Sequence, residues 1–247
     1  MSVVLREARA TLVPDMTGPQ GPLPPLLLAL TVLTGLVDAF SFLVLGRVFV
    51  ANMTGNVVFT GFALAGAPGF PLLASCLAFG SFAVGALAGG TVVHLARAHR
   101  GRQLQRALLL ETAFVTAAMV LVLVSRAPYT GGVRLALIAL LALGLGVQNA
   151  AVRALAVPDL TTTVLTRTLT GAVADSRLAR GPGGKAGRRG LSAVSLLAGA
   201  CCGALAVRTG HPALPLLLAF LLLTAASTVA CLLVRSDAPW TKPASGP

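Results

Sequence analysis

The sequence predicts an all-α integral membrane protein with about six transmembrane helices, and three observations carry this prediction. Of the 247 residues, 56% are hydrophobic and only 11% are charged, whereas about a quarter of the residues in a soluble domain are charged. The mean hydropathy is +0.88. Several apolar stretches also approach or exceed the roughly 18–20 residues that a helix needs to cross a hydrocarbon core of about 30 Å.

Eight apolar runs follow one another along the chain, and six of them have the composition of plain spans. The second and sixth runs are more polar: the second holds Asn52 and Asn56, and the sixth holds six threonines between Thr161 and Thr170. The runs are 26–46, 48–66, 70–96, 107–125, 133–156, 160–176, 191–207 and 213–234.

Positive charge orients the predicted spans. Arginine-rich clusters follow the third run, at Arg97–Arg106, and the sixth run, at Arg177–Arg189, and the positive-inside rule places both in the cytoplasm. Three complete crossings between the clusters would put them on opposite sides, whereas two crossings keep them on one side. We therefore expect run 160–176 to enter the membrane and return, or to lie in the protein interior, and run 48–66 to behave likewise. Both termini are then cytoplasmic.

A single polytopic domain is predicted at 26–234, between a cytoplasmic N-terminal tail at 1–25 and a cytoplasmic C-terminal tail at 235–247. The N-terminal tail lacks the apolar core and small-residue cleavage site of a secretory signal peptide. The protein is therefore expected to remain in the membrane without cleavage at this tail.

Three short motifs recur in the same order in two repeats, 26–125 and 133–234, at offsets of 111, 112 and 114 residues. Each repeat holds three spans and one polar re-entrant or broken segment, so the second copy would insert upside down. Inverted repeats with broken helices near the midplane are a recurring layout of transporters. The matching motifs are Gly35–Ala39 with Gly146–Ala150, Thr54–Asn56 with Thr166–Thr168, and Gly85–Gly89 with Gly199–Gly203.

Asp38 is the most informative single residue, because it sits within the first apolar span. A carboxylate at the centre of a membrane helix costs about 2.5–3.5 kcal/mol on insertion scales. Such a group normally has a partner or a function. Two interpretations stay open: Asp38 is a proton or cation site, or it makes an interhelical hydrogen bond to Gln148, Asn149 or a threonine.

The other candidate pathway residues carry amides, hydroxyls and one cation. Gln148 and Asn149 occupy the corresponding depth in the fifth run, where they would bridge helices or contact a solute. Arg167 would form an anion site, pair with Asp38 or extend towards the cytoplasmic face. The polar segments offer Asn52, Thr54, Asn56, Thr163 and Thr166, which would either satisfy non-helical backbone or bind a solute.

Several classes of function are disfavoured by the sequence. The formal charge is +12, but its arginines fall mainly in short loops, and the single Trp and single Tyr give no base-stacking surface for nucleic acid. The four cysteines and three histidines show no metal-ligand spacing. No nucleophile, phosphate-loop or paired-carboxylate motif occurs. We expect neither an enzyme nor a metal or cofactor. Glu111, near Arg106, is predicted to form a surface ion pair.

The stretches Gly35–Phe42 and Phe49–Asn56 resemble the signature of the YoaK-like family, a bacterial family of small polytopic membrane proteins catalogued as a domain of unknown function. Gly146–Asn149 and Thr162–Thr166 resemble its second half. The resemblance covers roughly residues 26–234. It implies a bacterial inner-membrane location and about six helices, and it supplies no function.

These features favour a small secondary transporter or channel-like permease, with a small solute, a proton or a cation as its cargo and the lipid bilayer as its surroundings. The alternative is a non-transporting membrane scaffold or partner-binding protein, since no substrate motif occurs and the small-xxx-small glycine pairs would suit assembly. A homodimer is expected if one copy of 24.9 kDa does not enclose a pathway by itself.

Overall fold

The part of the chain that the computed structural model describes is helical, with no strand among residues 3–158, 160, 170, 186–235 and 238–242. Most of the predicted sixth run, 160–176, therefore lies outside the described residues. The helices are α1 (Val3–Leu12), α2 (Leu23–Val44), α3 (Met53–Leu64), α4 (Leu72–His94), α5 (Arg100–Val124), α6 (Gly131–Leu155), α7 (Ala186–Arg208) and α8 (Leu214–Leu233), with a 3-10 turn at Pro239–Thr241.

Six of these helices, α2 and α4 to α8, are long and apolar enough to cross a membrane. The predicted all-helical architecture, with six helices able to span a membrane, is thus confirmed for the described residues. Helix α3 has 12 residues, which gives a length of about 18 Å at 1.5 Å per residue. Because the hydrocarbon core is about 30 Å thick, α3 is too short to cross it.

The largest helix contacts join the N-terminal half of the bundle (23–124) to its C-terminal half (131–233). Helix α2 packs most extensively on α7, and α4 on α6. Further contacts join α2 to α8 and α6 to α5, and others join α4 to α5 and α7 to α8. These contacts form equivalent pairs when α2 is matched with α6, α4 with α7 and α5 with α8. The contact of α2 with α7 then corresponds to that of α6 with α4, and the contact of α2 with α8 to that of α6 with α5. The contacts between the halves therefore follow a two-fold pattern.

Glycines allow the two largest contacts to form. A Cβ atom on Gly85 would overlap a carbonyl group of α6, and one on Gly146 would overlap a carbonyl group of α4. Gly35 and Gly199 build the contact between α2 and α7 in the same way, because a Cβ on either would overlap the backbone of the other helix. Small residues let the backbones of membrane helices approach closely. The glycine motifs that repeat in the sequence are therefore used within one chain.

Two buried side chains, Trp240 and Arg100, contact the segment before α2 at one end of the bundle. Trp240, in the 3-10 turn, is 2% exposed and packs against Gly21. Arg100, at the start of α5, donates hydrogen bonds to the Pro19 carbonyl at 3.0 Å and to the Leu155 carbonyl at 2.6 Å. These contacts join the segment before α2 to the start of α5 and the end of α6.

Candidate functional site

Asp38 holds the segment that follows its own helix. Its Oδ1 accepts hydrogen bonds from the backbone amides of Val50 at 3.1 Å and Ala51 at 3.0 Å. Asp38 lies six residues before the end of α2 at Val44, which is about 9 Å along the helix axis. The loop 45–52 must therefore fold back beside α2 to bring these amides to the carboxylate.

Asn56 fixes the same loop from the other side. This side chain, on the first turn of α3, is 1% exposed. Its Oδ1 accepts from the amide of Phe49 at 3.0 Å, and its Nδ2 donates to the carbonyl of Phe49 at 2.6 Å. The ring of Phe49 stacks on those of Phe42 and Phe59, which also contact each other. Asp38 and Asn56 together satisfy consecutive backbone groups of a non-helical segment, as buried backbone requires.

The remaining polar residues of this segment point elsewhere. Asn52 precedes α3 and Thr54 lies in its first turn, and both are exposed. Asn56 and the half-buried Thr60 line an open groove of 280 Å³ between α3 and α4. The candidate residues of this segment are thus divided between the groove, which Asn56 lines, and the exposed surface, where Asn52 and Thr54 lie. The other groove residues are Val57, Cys76, Phe79 and Gly80.

Gln148 connects α6 to α2 in the interior of the bundle. It is 1% exposed, and its Nε2 donates to Thr34 Oγ1 at 2.9 Å. Thr34 in turn donates to the Leu30 carbonyl. The Oε1 atom of Gln148 has no hydrogen-bond partner in the described part of the chain. The interhelical partner of Gln148 is therefore Thr34, which lies one turn before Asp38.

Asn149 stands at the place in the second repeat that Asp38 holds in the first. It is half-buried, and its Nδ2 donates to the Leu145 carbonyl one turn earlier at 2.9 Å. The three remaining predicted pathway residues, Thr163, Thr166 and Arg167, lie outside the described residues. The structure therefore brings Asp38 together with the loop before α3, and Gln148 together with Thr34.

The predicted surface ion pair of Glu111 is wrong. Glu111 is 0% exposed, and neither carboxylate oxygen has a hydrogen-bond partner within the described ranges. Arg106 is exposed on the helix surface, with its Nη1 3.5 Å from the Leu95 carbonyl. Glu111 instead packs against α6, where a Cβ on Gly144 would lie 3.6 Å from its Cγ. The sequence interpretation missed this buried carboxylate.

Comparison with known proteins identifies the family to which the sequence belongs. No solved structure matches the chain. The chain is similar to UPF0700 transmembrane protein YoaK of Bacillus subtilis (strain 168), with 33% identity over 151 residues, and the match covers 60% of this chain and 65% of that relative. A family model described as "Protein of unknown function (DUF1275)" matches residues 26–229. The resemblance expected from the motifs is confirmed, and the chain belongs to this DUF1275 family of multi-pass membrane proteins.

Proposed function

We propose that this protein is a small secondary transporter or channel-like permease for a small solute. The observation that carries the proposal is the pairing of Asp38 with the backbone amides of Val50 and Ala51. It supports a re-entrant segment within the membrane, where non-helical backbone persists only when protein or a water-filled cavity covers it. Transporters commonly place substrate and ion sites at such interruptions.

The two-fold contact pattern supports an inverted repeat. Three spans, α2, α4 and α5, precede the second copy, which begins with α6, so equivalent helices run in opposite directions. The proposal places the protein in the bacterial inner membrane with both termini in the cytoplasm. In this topology the short α3 lies near the outer face of the membrane. The proposed solute pathway follows the groove that Asn56 and Thr60 line and continues to Asp38.

Accessibility of the native Cys76 tests whether the groove holds water. Cys76 lines the groove. Leu73 lies about one turn nearer the N-terminal end of α4 and is 68% exposed on the helix surface. One variant keeps only Cys76, and a second has Leu73→Cys as its only cysteine. Both are reconstituted in lipid vesicles and treated with a charged thiol reagent that does not cross membranes. The cysteines replaced by serine are Cys201, Cys202 and Cys231, together with Cys76 in the second variant.

We expect rapid modification of Cys76 and slow modification of the cysteine at position 73. If depth in the membrane alone decided the rate, position 73 would react faster, since it is nearer the N-terminal end of α4. Equal protection of both positions from either side of the vesicle would mean that lipid fills the groove. That result would remove the pathway and favour the scaffold function.

Transport itself is tested with a panel of small solutes in vesicles that carry a pH or ion gradient. Asp38→Asn keeps an oxygen that accepts from the loop, so insertion and folding should persist while coupled uptake is lost. Unchanged gradient-driven uptake by this variant would exclude Asp38 from the mechanism.

A non-transporting partner-binding protein is the second candidate. The observation that favours it is the apolar face of the groove, where Val57 is 59% exposed and Phe79 is 53% exposed. A partner helix could cover such a face. The glycine pairs give this candidate less support, because Gly85 and Gly199 are already covered within the chain. Specific co-purification of one membrane partner that is lost in Phe79→Ser would support it.

A further inference from the structure

Glu111 is a buried carboxylate of the bundle that the proposed pathway does not use. It lies 11 residues after the start of α5 and four residues inside the apolar run that begins at 107, which is about 6 Å along the helix axis. It is 0% exposed, and neither oxygen has a hydrogen-bond partner among the residues that the structure describes. An ionised carboxylate is costly in such a place unless a cation or a hydrogen-bond donor compensates for it.

Among the described residues, no compensating charge faces Glu111 from the elements that pack on α5, which are α4, α6, α8 and the 3-10 turn. On α5 itself, Arg100 is bound to two carbonyl groups and Arg106 is exposed. The 3-10 turn holds Pro239, Trp240 and Thr241 and no titratable side chain. The titratable groups of α4, α6 and α8 all lie in the end turns of their helices: Cys76, His94, Arg134, Arg153 and Cys231.

A hydrogen-bond acceptor lies on the facing helix. Helices α5 and α6 run in opposite directions, as shown by contacts of Arg100 with Leu155 and of Glu111 with Gly144. Gln148 follows Gly144 by one turn and therefore lies on the same face of α6. Side chains on helices lean towards the N-terminus, so Glu111 and Gln148 lean towards each other. The Oε1 atom of Gln148 is buried and without a partner in the described part of the chain.

Gln148 also connects this region to the helix that carries Asp38. Gln148 donates to Thr34 on α2, and Thr34 lies one turn from Asp38 on the same helix face. Glu111, Gln148, Thr34 and Asp38 thus lie on facing or successive turns of α5, α6 and α2, with the hydrogen bond from Gln148 to Thr34 between them. Among these side chains, the Glu111 carboxyl and the Oε1 atom of Gln148 have unmet hydrogen-bonding capacity. A single proton on Glu111 would supply the missing donor.

We propose that Glu111 is a proton-binding site inside the membrane, whose protonated carboxyl group donates to the Oε1 atom of Gln148. Its role as the coupling site, with the proton as coupling ion, rests on the proposed transport function, whereas proton binding itself does not. A divalent cation fits poorly. Calcium takes about 6–8 oxygen ligands, and Glu111 and Gln148 offer only three unpartnered oxygens among the described residues.

The composition of the chain permits a direct measurement without altering Glu111. The sequence contains two glutamates, Glu7 and Glu111. Glutamate labelled with carbon-13 at the side-chain carboxyl therefore gives two signals in the full chain in lipid nanodiscs. The Glu7→Gln variant identifies the signal of Glu111. Nuclear magnetic resonance then follows this signal from pH 5 to pH 9, with sodium or potassium as the only metal cation.

We expect the Glu111 signal to have the chemical shift of a protonated carboxyl group at neutral pH. Gln148→Leu should move that signal by removing its acceptor, whereas Asn149→Leu, on the neighbouring position, should leave it nearly unchanged. An apolar carbodiimide, which adds to protonated carboxyl groups, should modify Glu111 in the wild-type chain. Mass spectrometry of the peptides locates the adduct.

Two results would overturn the proposal. One is a Glu111 signal in the ionised position throughout the pH range, with no carbodiimide adduct. The other is a signal that responds to exchange of sodium for potassium and not to pH, which would indicate a metal cation. A protonated Glu111 in a protein that moves no solute would leave the proton site standing and would reject only the transport function.

Discussion

Gly85 on α4 packs directly against the backbone of Leu143 on α6, so that a side chain at position 85 would overlap the Leu143 carbonyl group. Five residues further along the same helix, Gly90 has open space around it. The two glycines have the same chemistry in one helix and differ only in what they face. They therefore form a matched pair for measuring what the contact between α4 and α6 contributes to stability.

Gly85→Ala should destabilise the protein, because the added methyl group forces the two backbones apart. Overpacking of this kind costs about 1–3 kcal/mol. Gly90→Ala should instead be neutral or stabilise by about 0.4–1 kcal/mol, because alanine restricts the unfolded chain. Thermal unfolding of both variants in the same detergent gives the comparison. Equal effects at the two positions would contradict the close helix contact.

Replacing Asp38 by alanine should free the chain before α3. The amides of Val50 and Ala51 would lose their acceptor, and each unpaired buried donor costs about 1–3 kcal/mol. Asp38→Asn should cost less, since its amide oxygen still accepts. Limited proteolysis within residues 45–52 reports the release: cleavage should be fast in the alanine variant, slower in the asparagine variant and slowest in the wild type. Equal rates would mean that the carboxylate does not hold the loop.

Trp240 should report the docking of the C-terminal segment, because it is the only tryptophan and is 2% exposed. Its fluorescence should be blue-shifted and protected from a water-soluble quencher, and both properties should be lost on unfolding. Trp240→Ala should destabilise by about 3–5 kcal/mol, as for other buried large-to-small changes. Trp240→Phe is the control that keeps most of the apolar contact. Quenching of native Trp240 as efficient as that of free tryptophan would contradict this docking.

Tyr129 gives a pH-dependent signal outside the spans. It is the only tyrosine, and burial raises its pKa above the ordinary value of about 10. Above that ordinary value the unfolded chain loses the phenol proton while the folded chain keeps it, so stability should fall as pH rises. Ultraviolet absorbance follows the ionisation, and Tyr129→Phe should remove this contribution to the decline. A phenol that ionises at its ordinary pKa would contradict the burial.

The proposed topology predicts on which side of the membrane three short loops between spans lie. A reporter that is active only on the outer side of the membrane should be active in 125–130 and 209–213. The same reporter should be inactive in 95–99, which we expect to be cytoplasmic. Reporters after residues 12 and 242 should both be cytoplasmic. Opposite locations for the two terminal reporters would require an odd number of crossings and would remove the inverted repeat.

The spans were largely predictable because membrane thickness fixes the length of an apolar run. The main difference is at α5, which begins at Arg100 although its apolar run begins at 107. The extra turns contain Arg100, Arg102 and Arg106, so hydropathy excludes them, while backbone hydrogen bonding continues through them. Arg100 is buried by contacts with distant carbonyl groups, and a local apolar pattern contains no information about such contacts.

The site was predictable only in part. A carboxylate at Asp38 predicts a buried polar contact, but its partners depend on how the loop 45–52 folds back, which composition does not determine. The sequence does contain an indication that Glu111 is buried, because Glu111 falls at helical spacing with the buried Leu104, Leu108 and Val115. Arg106, five residues away, lies on a different side of the helix. Helical periodicity is therefore more informative here than nearness in sequence.

The glycine contacts also constrain the order in which the molecule is assembled during synthesis. The close-packing faces of α2 and α4 are complementary to α7 and α6, which the ribosome makes later. These faces of the first half therefore have no protein partner within the chain until the second half has been made. A chain severed between α5 and α6 should accordingly yield two fragments that are degraded when made separately and recover a common fold when made together.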